Sequence, residues 1–158
     1  EQFAVGGFCH TAAVVHLADC LRRGKGLVVN ISSWGAHHNI GVFPISYFLN
    51  KAAFDQAQSA LAAYLQKHHI CVLTLYPGSV RSERSQLAAR RATGVLSDAE
   101  GTRFTGRAVV ALTKANPTVL QRLARRTLLS ADVCSMCGAT DVDGYMHEPD
   151  QLGLQVLK

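Results

Sequence analysis

A tyrosine and a lysine four residues apart form the most chemically distinctive pair in the chain. Tyr47 and Lys51 are expected on one face of a helix, because residues i and i+4 are neighbours on its surface. A free tyrosine has a pKa of about 10, and a cation a few ångström away lowers it by about 1–3 units. The pair therefore indicates a general acid/base that can move a proton near neutral pH.

Two further segments place polar or turn-forming residues directly after apolar runs. Ser33 closes the segment after the run 27–31, and Pro77-Gly78 lie beyond the run 70–75. Both runs are predicted to be buried strands. Ligands of parallel α/β sheets bind beyond the carboxyl ends of the strands, so these residues and the tyrosine should border one cleft. We expect the serine and tyrosine oxygens near hydrogen-bond reach, about 2.6–3.2 Å or looser without ligand, and the lysine ammonium beneath the tyrosine ring edge.

The elements that must position these residues alternate between helices and strands. Helical spacing predicts helices over residues 8–23, 47–67 and 106–114, and apolar runs predict strands at 27–31, 70–75 and 126–133. Residues 83–106 are polar and poorly periodic, which predicts a mobile excursion, and Asn116-Pro117 is expected to end the third helix. This order of elements implies right-handed crossovers and a parallel sheet, so the predicted fold class is α/β.

Three sequence signatures resemble those of the short-chain dehydrogenase/reductase family. Residues 26–33 (GLVVNISS) match N-[IV]-S-S, residues 47–53 (YFLNKAA) match Y-x-x-x-K, and residues 76–82 (YPGSVRS) match P-G-x-V-x-[TS]. The resemblance covers residues 1–135 and aligns them with the C-terminal half of the family. It implies the C-terminal part of a Rossmann-like, doubly wound parallel sheet whose first βα units and glycine-rich loop are missing.

The same resemblance implies a division of the chain and a reaction. Residues 1–135 would be the Rossmann-like portion, with residues 83–106 as its substrate lid, and residues 136–158 would be a C-terminal extension. The implied function is the interconversion of a carbonyl and an alcohol on a small-molecule substrate by hydride transfer with NAD or NADP. The choice between the two cofactors stays open, and this chain alone is expected to bind dinucleotide poorly, because the adenosine and pyrophosphate site would lie in the missing part.

Residue roles carry over only where the signatures match. Tyr47 would be the catalytic acid/base, Ser33 would orient the substrate oxygen, and Lys51 would lower the pKa of Tyr47 and hold the nicotinamide ribose. Cofactor contacts would come from Tyr47, Lys51, Pro77, Gly78, Val80 and Ser82, the last two at the carboxamide. Trp34, beside Ser33, either walls the substrate pocket or packs in the core.

Departures from the family pattern favour a rival interpretation. Ala4 stands where the family has an asparagine, no GxGxxG-type loop follows a strand, and the chain opens on Glu1 instead of Met. The rival is a non-catalytic truncated fragment or pseudoenzyme that acts through helix–helix association. The alanine-rich helix 47–67, together with the helix 8–23, is expected to form the surface of a homodimer.

Composition and charge exclude several other classes. A chain with 48% hydrophobic and 17% charged residues is not intrinsically disordered, and its apolar stretches fall short of the ~20 residues of a membrane helix. The net charge is +5, but no basic run carries interleaved aromatics, so no nucleic-acid partner is expected. An odd count of five cysteines predicts an intracellular, cytoplasmic protein, and the Cys134–Cys137 pair lacks the further ligands of a metal site.

Overall fold

The structure is a computed structural model that describes residues 4–24, 26–38, 43–92 and 98–148. In chain order the elements are a π-helical turn (Ala4–Phe8), α1 (Cys9–His16), α2 (Ala18–Gly24), β1 (Leu27–Ile31), a 3₁₀ turn (Trp34–Ala36), α3 (Ile45–Gln66), β2 (Cys71–Tyr76), α4 (Glu83–Ala92), α5 (Phe104–Lys114), α6 (Pro117–Leu123), β3 (Thr127–Leu129) and α7 (Ser130–Cys137).

The described strands form a three-stranded parallel sheet in the order β1-β2-β3. Leu27 pairs with Cys71 and Ile31 with Leu75, so β1 and β2 run in register over the whole length of β1. Every residue of β2 is buried, as expected for the central strand of a sheet covered by helices. The predicted α/β class with part of a Rossmann-like sheet is confirmed.

The chain divides into two compact units. The first contains Glu1–Tyr76 and Asn116–Thr127, and the second contains Pro77–Ala115 and Leu128–Lys158. In the first unit α3 packs on β2 around a core of buried apolar residues, namely Ala62, Leu65, Ile70 and Val72. In the second unit α5 packs on α7, with Phe104, Ala108, Leu112 and Cys134 buried. The predicted division at residue 135 stays a prediction.

Two connections from a helix to a strand in the first unit reverse direction at left-handed residues. His69, between α3 and β2, has φ of 59°, and Arg125, between α6 and β3, has φ of 68°. The Arg125 N–H donates to the Val72 carbonyl at 2.8 Å. Gln121 donates through its side-chain amide to the His69 carbonyl at 3.3 Å. Both turns use residues with a side chain where glycine is the usual choice.

The segment predicted to be a mobile excursion contains a helix among its described residues, which the sequence analysis did not predict. α4 spans Glu83–Ala92, and its start is capped by Ser82, whose Oγ accepts from the Ser85 N–H at 3.2 Å. Leu87 is the lone large apolar residue of this helix, which is why the sequence shows so little periodicity there. Residues 93–97 lie outside the described part of the chain.

The helix predicted over residues 8–23 is two helices, α1 and α2, which are separated at Leu17. Most other differences from the prediction lie at helix ends. α3 begins at Ile45 instead of residue 47. The Tyr47 N–H donates to the Pro44 carbonyl, so the first helical turn already includes the residues before the tyrosine. Asn116-Pro117 separates two helices, since α6 starts where only an end was predicted. The third strand stops at Leu129, and the rest of its predicted length belongs to α7, which ends at the left-handed Gly138.

Candidate functional site

Ser33 begins the turn that follows β1. Its backbone is extended, its Oγ accepts a hydrogen bond from the Gly35 N–H at 3.2 Å, and its carbonyl accepts from the Ala36 N–H at 2.9 Å. The serine therefore caps the short 3₁₀ turn, with Oγ serving as an acceptor and its proton left for donation to another oxygen. Trp34 is half-buried, and its ring meets the His38 ring edge-on at 5.7 Å between centroids. The two predicted places of Trp34, in the wall of a substrate pocket or in the core, both stay predictions.

Tyr47 lies in the first turn of α3 and packs on the same 3₁₀ turn. A Cβ on Gly35 would lie 3.2 Å from Tyr47 Cε1 and 3.4 Å from Phe48 Cδ1, which is tighter than ordinary van der Waals contact. The half-buried tyrosine ring also lies 4.7 Å from the Phe43 ring. Gly35 therefore allows the tyrosine to approach the segment that Ser33 begins. The sequence analysis missed Gly35, and its position two residues after the serine is the signal that was available.

Lys51 lies one helical turn further along α3 and reaches the end of β1. Its Nζ donates to the carbonyl of Ile31, the last residue of that strand, at 3.4 Å, and lies 5.9 Å from the centroid of the Phe54 ring. Burial lowers the pKa of Lys51, while the negative charge of Asp55 raises it. The predicted place of the ammonium beneath the Tyr47 ring and the predicted Ser33–Tyr47 oxygen distance stay predictions.

A carboxylate that the sequence analysis did not single out lies beside this lysine. Asp55 follows Lys51 by one turn of α3, and its Oδ2 accepts a hydrogen bond from the Tyr76 hydroxyl. Burial raises the pKa of Asp55, although the nearby Ser32 hydroxyl and the hydrogen bond from Tyr76 lower it. Burial and the Asp55 carboxyl together raise the pKa of Tyr76. The i+4 spacing from the lysine was the available signal, but the contact with Tyr76 spans 21 residues and no local pattern shows it.

The same aspartate lines a cavity of about 340 Å³ in the first unit. Residues of α3 and β2 line it together with Arg125 and Thr127. The polar lining residues from the two elements are Asp55, Gln56, Gln58, Ser59 and Thr74.

The residues of the P-G-x-V-x-S signature lie in the second unit. The Gly78 N–H donates to Glu100 Oε1 at 3.1 Å, and Val80 forms an isolated parallel bridge with Glu100. Val80 and Ser82 are half-buried, and Ser82 also caps α4. The backbone of this loop is thus fixed by a partner 20 or more residues away, which the sequence analysis did not identify.

The cysteine pair and the histidines are candidate metal ligands by residue type alone. Among the described residues no group of three or more histidine, cysteine, aspartate or glutamate side chains is placed to hold a metal ion. Cys134 is buried and Cys137 is exposed, and both are free thiols within α7. No helix in the described part of the chain has the length and apolar character needed to cross a membrane.

Comparisons with known proteins identify relatives of this sequence. No family model matches the chain. It is 33% identical over 132 residues to human dehydrogenase/reductase SDR family member 1, covering 77% of this chain and 41% of the relative. It is 32% identical to the mouse protein of the same name over the same length. The chain thus spans about two fifths of the length of the curated relatives it matches.

A solved structure shows the same fold. The Pseudomonas aeruginosa RhlG/NADP active-site complex matches with a TM-score of 0.56 at 18% identity, covering 80% of this chain and 54% of the other. At that identity the likeness concerns the fold alone. The sequence similarity to a known family rests on the human and mouse proteins. The resemblance predicted from the three signatures is confirmed: over 77% of its length the chain is similar to a curated member of the short-chain dehydrogenase/reductase family.

Proposed function

We propose that this chain carries the acid/base site of an NAD(P)-dependent oxidoreductase that interconverts a carbonyl and an alcohol. The observation that carries the proposal is the joint contact of Tyr47 with the turn after β1 and of Lys51 with the last carbonyl of β1. Ser33 begins that turn. Support also comes from the name of the curated relatives, dehydrogenase/reductase, and from the structural neighbour, which is a complex with NADP.

The proposed roles follow from the donors that these three residues offer. The Tyr47 phenol gives its proton to the carbonyl oxygen during reduction and takes it back during oxidation. The Ser33 hydroxyl donates to the same oxygen, and the positive charge of Lys51 stabilises the phenolate that remains after proton transfer. When bound, the reduced nicotinamide supplies the hydride that reaches the carbonyl carbon.

The residues present fit the nicotinamide end of such a cofactor. The half-buried ammonium of Lys51 keeps donors beyond the one used by Ile31, and ribose hydroxyls are acceptors for them. Val80 and Ser82 are proposed to contact the carboxamide, and Pro77 and Gly78 are proposed as further cofactor contacts. NAD and NADP differ outside the nicotinamide end, so the proposal covers either.

The test is the reduction of a panel of aldehydes and ketones by NADH or NADPH at high concentration. Tyr47→Phe keeps the ring against Gly35 and removes the proton donor, so kcat/KM is expected to fall by about 10²–10⁴-fold. Tyr64→Phe is the matched control, because Tyr64 is exposed on the same helix with Lys67 Nζ 4.1 Å from its ring centroid.

Two outcomes contradict the proposal. Equal activity of Tyr47→Phe and the unsubstituted chain would remove the tyrosine from the chemistry. A folded chain that turns over no member of the panel with either cofactor would favour the non-catalytic alternative.

A further inference from the structure

Glu100 is a buried carboxylate to which the sequence assigned no role. It is 4% exposed, and its Oε1 accepts hydrogen bonds from the Gly78 N–H at 3.1 Å and from the Ser130 hydroxyl at 2.6 Å. Burial raises the pKa of Glu100, while these two hydrogen bonds lower it. A buried carboxylate is costly unless specific donors hold it, so the two donors indicate a defined structural task.

The backbone of the same residue binds the same loop. The Glu100 N–H donates to the Ser79 carbonyl at 2.7 Å, and the Glu100 carbonyl accepts from the Arg81 N–H at 2.8 Å. Together with the side-chain contact to Gly78, one residue fixes three polar backbone groups within the four residues 78–81. Because both the side chain and the backbone of Glu100 bind this loop, its backbone dihedral angles have little freedom to change.

Gly78 is shaped to admit this carboxylate. A Cβ on Gly78 would lie 3.0 Å from Glu100 Oε1 and 3.4 Å from Cδ. Any larger residue would therefore crowd the carboxylate away from the Gly78 N–H. The glycine of the P-G pair thus serves the approach of Glu100 as well as the turn itself.

We propose that Glu100 is a positioning residue that holds the backbone of Pro77–Ser82 so that Val80 and Ser82 meet the nicotinamide carboxamide. Ser130 orients the carboxylate from the other side. The cofactor contact rests on the proposed function, but the holding of the loop does not, and the two are tested separately.

The first measurement is amide hydrogen exchange in the whole chain. Glu100→Ala removes the acceptor of the Gly78 N–H, so exchange at Gly78 is expected to become about tenfold faster, with exchange at Ala108 in α5 unchanged as the internal control. Glu100→Gln keeps a carbonyl acceptor without the charge and is expected to restore most of the protection. Unchanged exchange at Gly78 in Glu100→Ala would overturn the proposal.

A thermodynamic cycle covers the case in which Glu100→Ala folds poorly. Gly78→Ala crowds Glu100 Oε1 in the native chain and is expected to lower its stability. Measured instead against Glu100→Ser, which removes the crowding atoms and keeps a hydroxyl, the loss should largely disappear. Additive effects of Gly78→Ala and Glu100→Ser would overturn the proposal.

The second measurement is a titration with NADH and with NADPH, followed through the amide shifts of Val80 and Ser82. The expected result is a shift in the unsubstituted chain that weakens in Glu100→Ala and returns in Glu100→Gln. Equal shifts in all three proteins would overturn the positioning role. Faster Gly78 exchange in Glu100→Ala, combined with no shift in any protein even at high concentrations of NADH and NADPH, would support the holding of the loop by Glu100 and contradict the proposed cofactor contact.

Discussion

The charge on Lys51 is set by two opposing effects that act on a single side chain. Burial lowers its pKa, and the carboxylate of Asp55, one helical turn away, raises it. Asp55 is in turn held by the Tyr76 hydroxyl at the end of β2. The charge state of the lysine proposed to assist Tyr47 therefore depends on a residue outside the family signature.

Asp55→Asn is expected to lower the pKa of Lys51 further, because the neutral amide keeps the size of the side chain but removes its negative charge. The measurement is an NMR titration of the Lys51 side chain. Asp19→Asn is the control, since Asp19 is an exposed carboxylate elsewhere in the same unit. An unchanged Lys51 titration in Asp55→Asn would contradict the described electrostatics.

The same substitution should change how stability depends on pH. Burial raises the pKa of Asp55 above its usual 3.8, so the folded state binds this proton more tightly than the unfolded chain does. Its contribution to stability is present below pH 3.8 and is lost as the pH rises through the folded pKa. Asp55→Asn should lack that loss in denaturant unfolding measured across the same pH range.

The residues found from the sequence and the residues missed differ in the range of their contacts. Tyr47 and Lys51 are one helical turn apart, so a local pattern reveals them. Glu100 acts on Gly78, which is 22 residues away, and Asp55 acts on Tyr76, which is 21 residues away. Nothing in the local sequence marks such partners, because the fold alone brings them together.

At the scale of elements, the Asn116-Pro117 dipeptide has two effects where the sequence analysis expected one. A proline disfavours the helical conformation in the residue before it, and α5 accordingly ends at Lys114. The same proline is pre-organised for a first helical position, and the Asn116 side chain accepts from the Thr118 N–H at 2.9 Å. One dipeptide therefore ends one helix and starts the next.

Asn116→Ala removes this cap and is expected to lower the free energy of unfolding by about 1 kcal/mol. Asn116→Ser keeps a capping oxygen and should recover most of the loss. Urea unfolding of the three proteins measures both effects. Equal stability of Asn116→Ala and the unsubstituted chain would show that α6 does not depend on its cap.

Strands were easier to predict than the helices between them. The apolar runs before Ser33 and Pro77 predicted β1 and β2 almost to the residue, although only β2 is buried along its whole length and β1, at the edge of the described sheet, is mostly half-buried. α4 was missed because Leu87 is its lone large apolar residue, and α7 was missed because the apolar run of β3 continues into it. Apolar periodicity does not reveal a helix that buries little apolar surface, or one that follows a strand with no turn residues between them.

At the scale of the whole molecule, burial divides the five cysteines into two classes. Cys9, Cys20 and Cys137 are exposed, and Cys71 and Cys134 are buried. Burial raises the pKa of Cys71 and is the largest cause that raises the pKa of Cys134 to about 11. The reactive thiolate is therefore scarce at both buried positions.

Brief treatment of the native chain with iodoacetamide is expected to alkylate the three exposed cysteines and spare Cys71 and Cys134. Peptide mass spectrometry assigns the modified positions, and the same treatment in denaturant, where all five should react, is the control. Rapid native alkylation of Cys134 would contradict its burial in the second unit. The homodimer expected from the alanine-rich helix stays a prediction.

The left-handed turns at His69 and Arg125 are positions where a substitution should raise the thermal stability of the chain. A residue with a Cβ costs about 1–2 kcal/mol in this conformation. Glycine avoids that cost but raises the entropy of the unfolded chain, which lowers stability by about 0.4–1 kcal/mol. His69→Gly and Arg125→Gly should each therefore raise the thermal midpoint slightly. Neither position belongs to the proposed acid/base site, so a more heat-resistant chain should keep its chemistry.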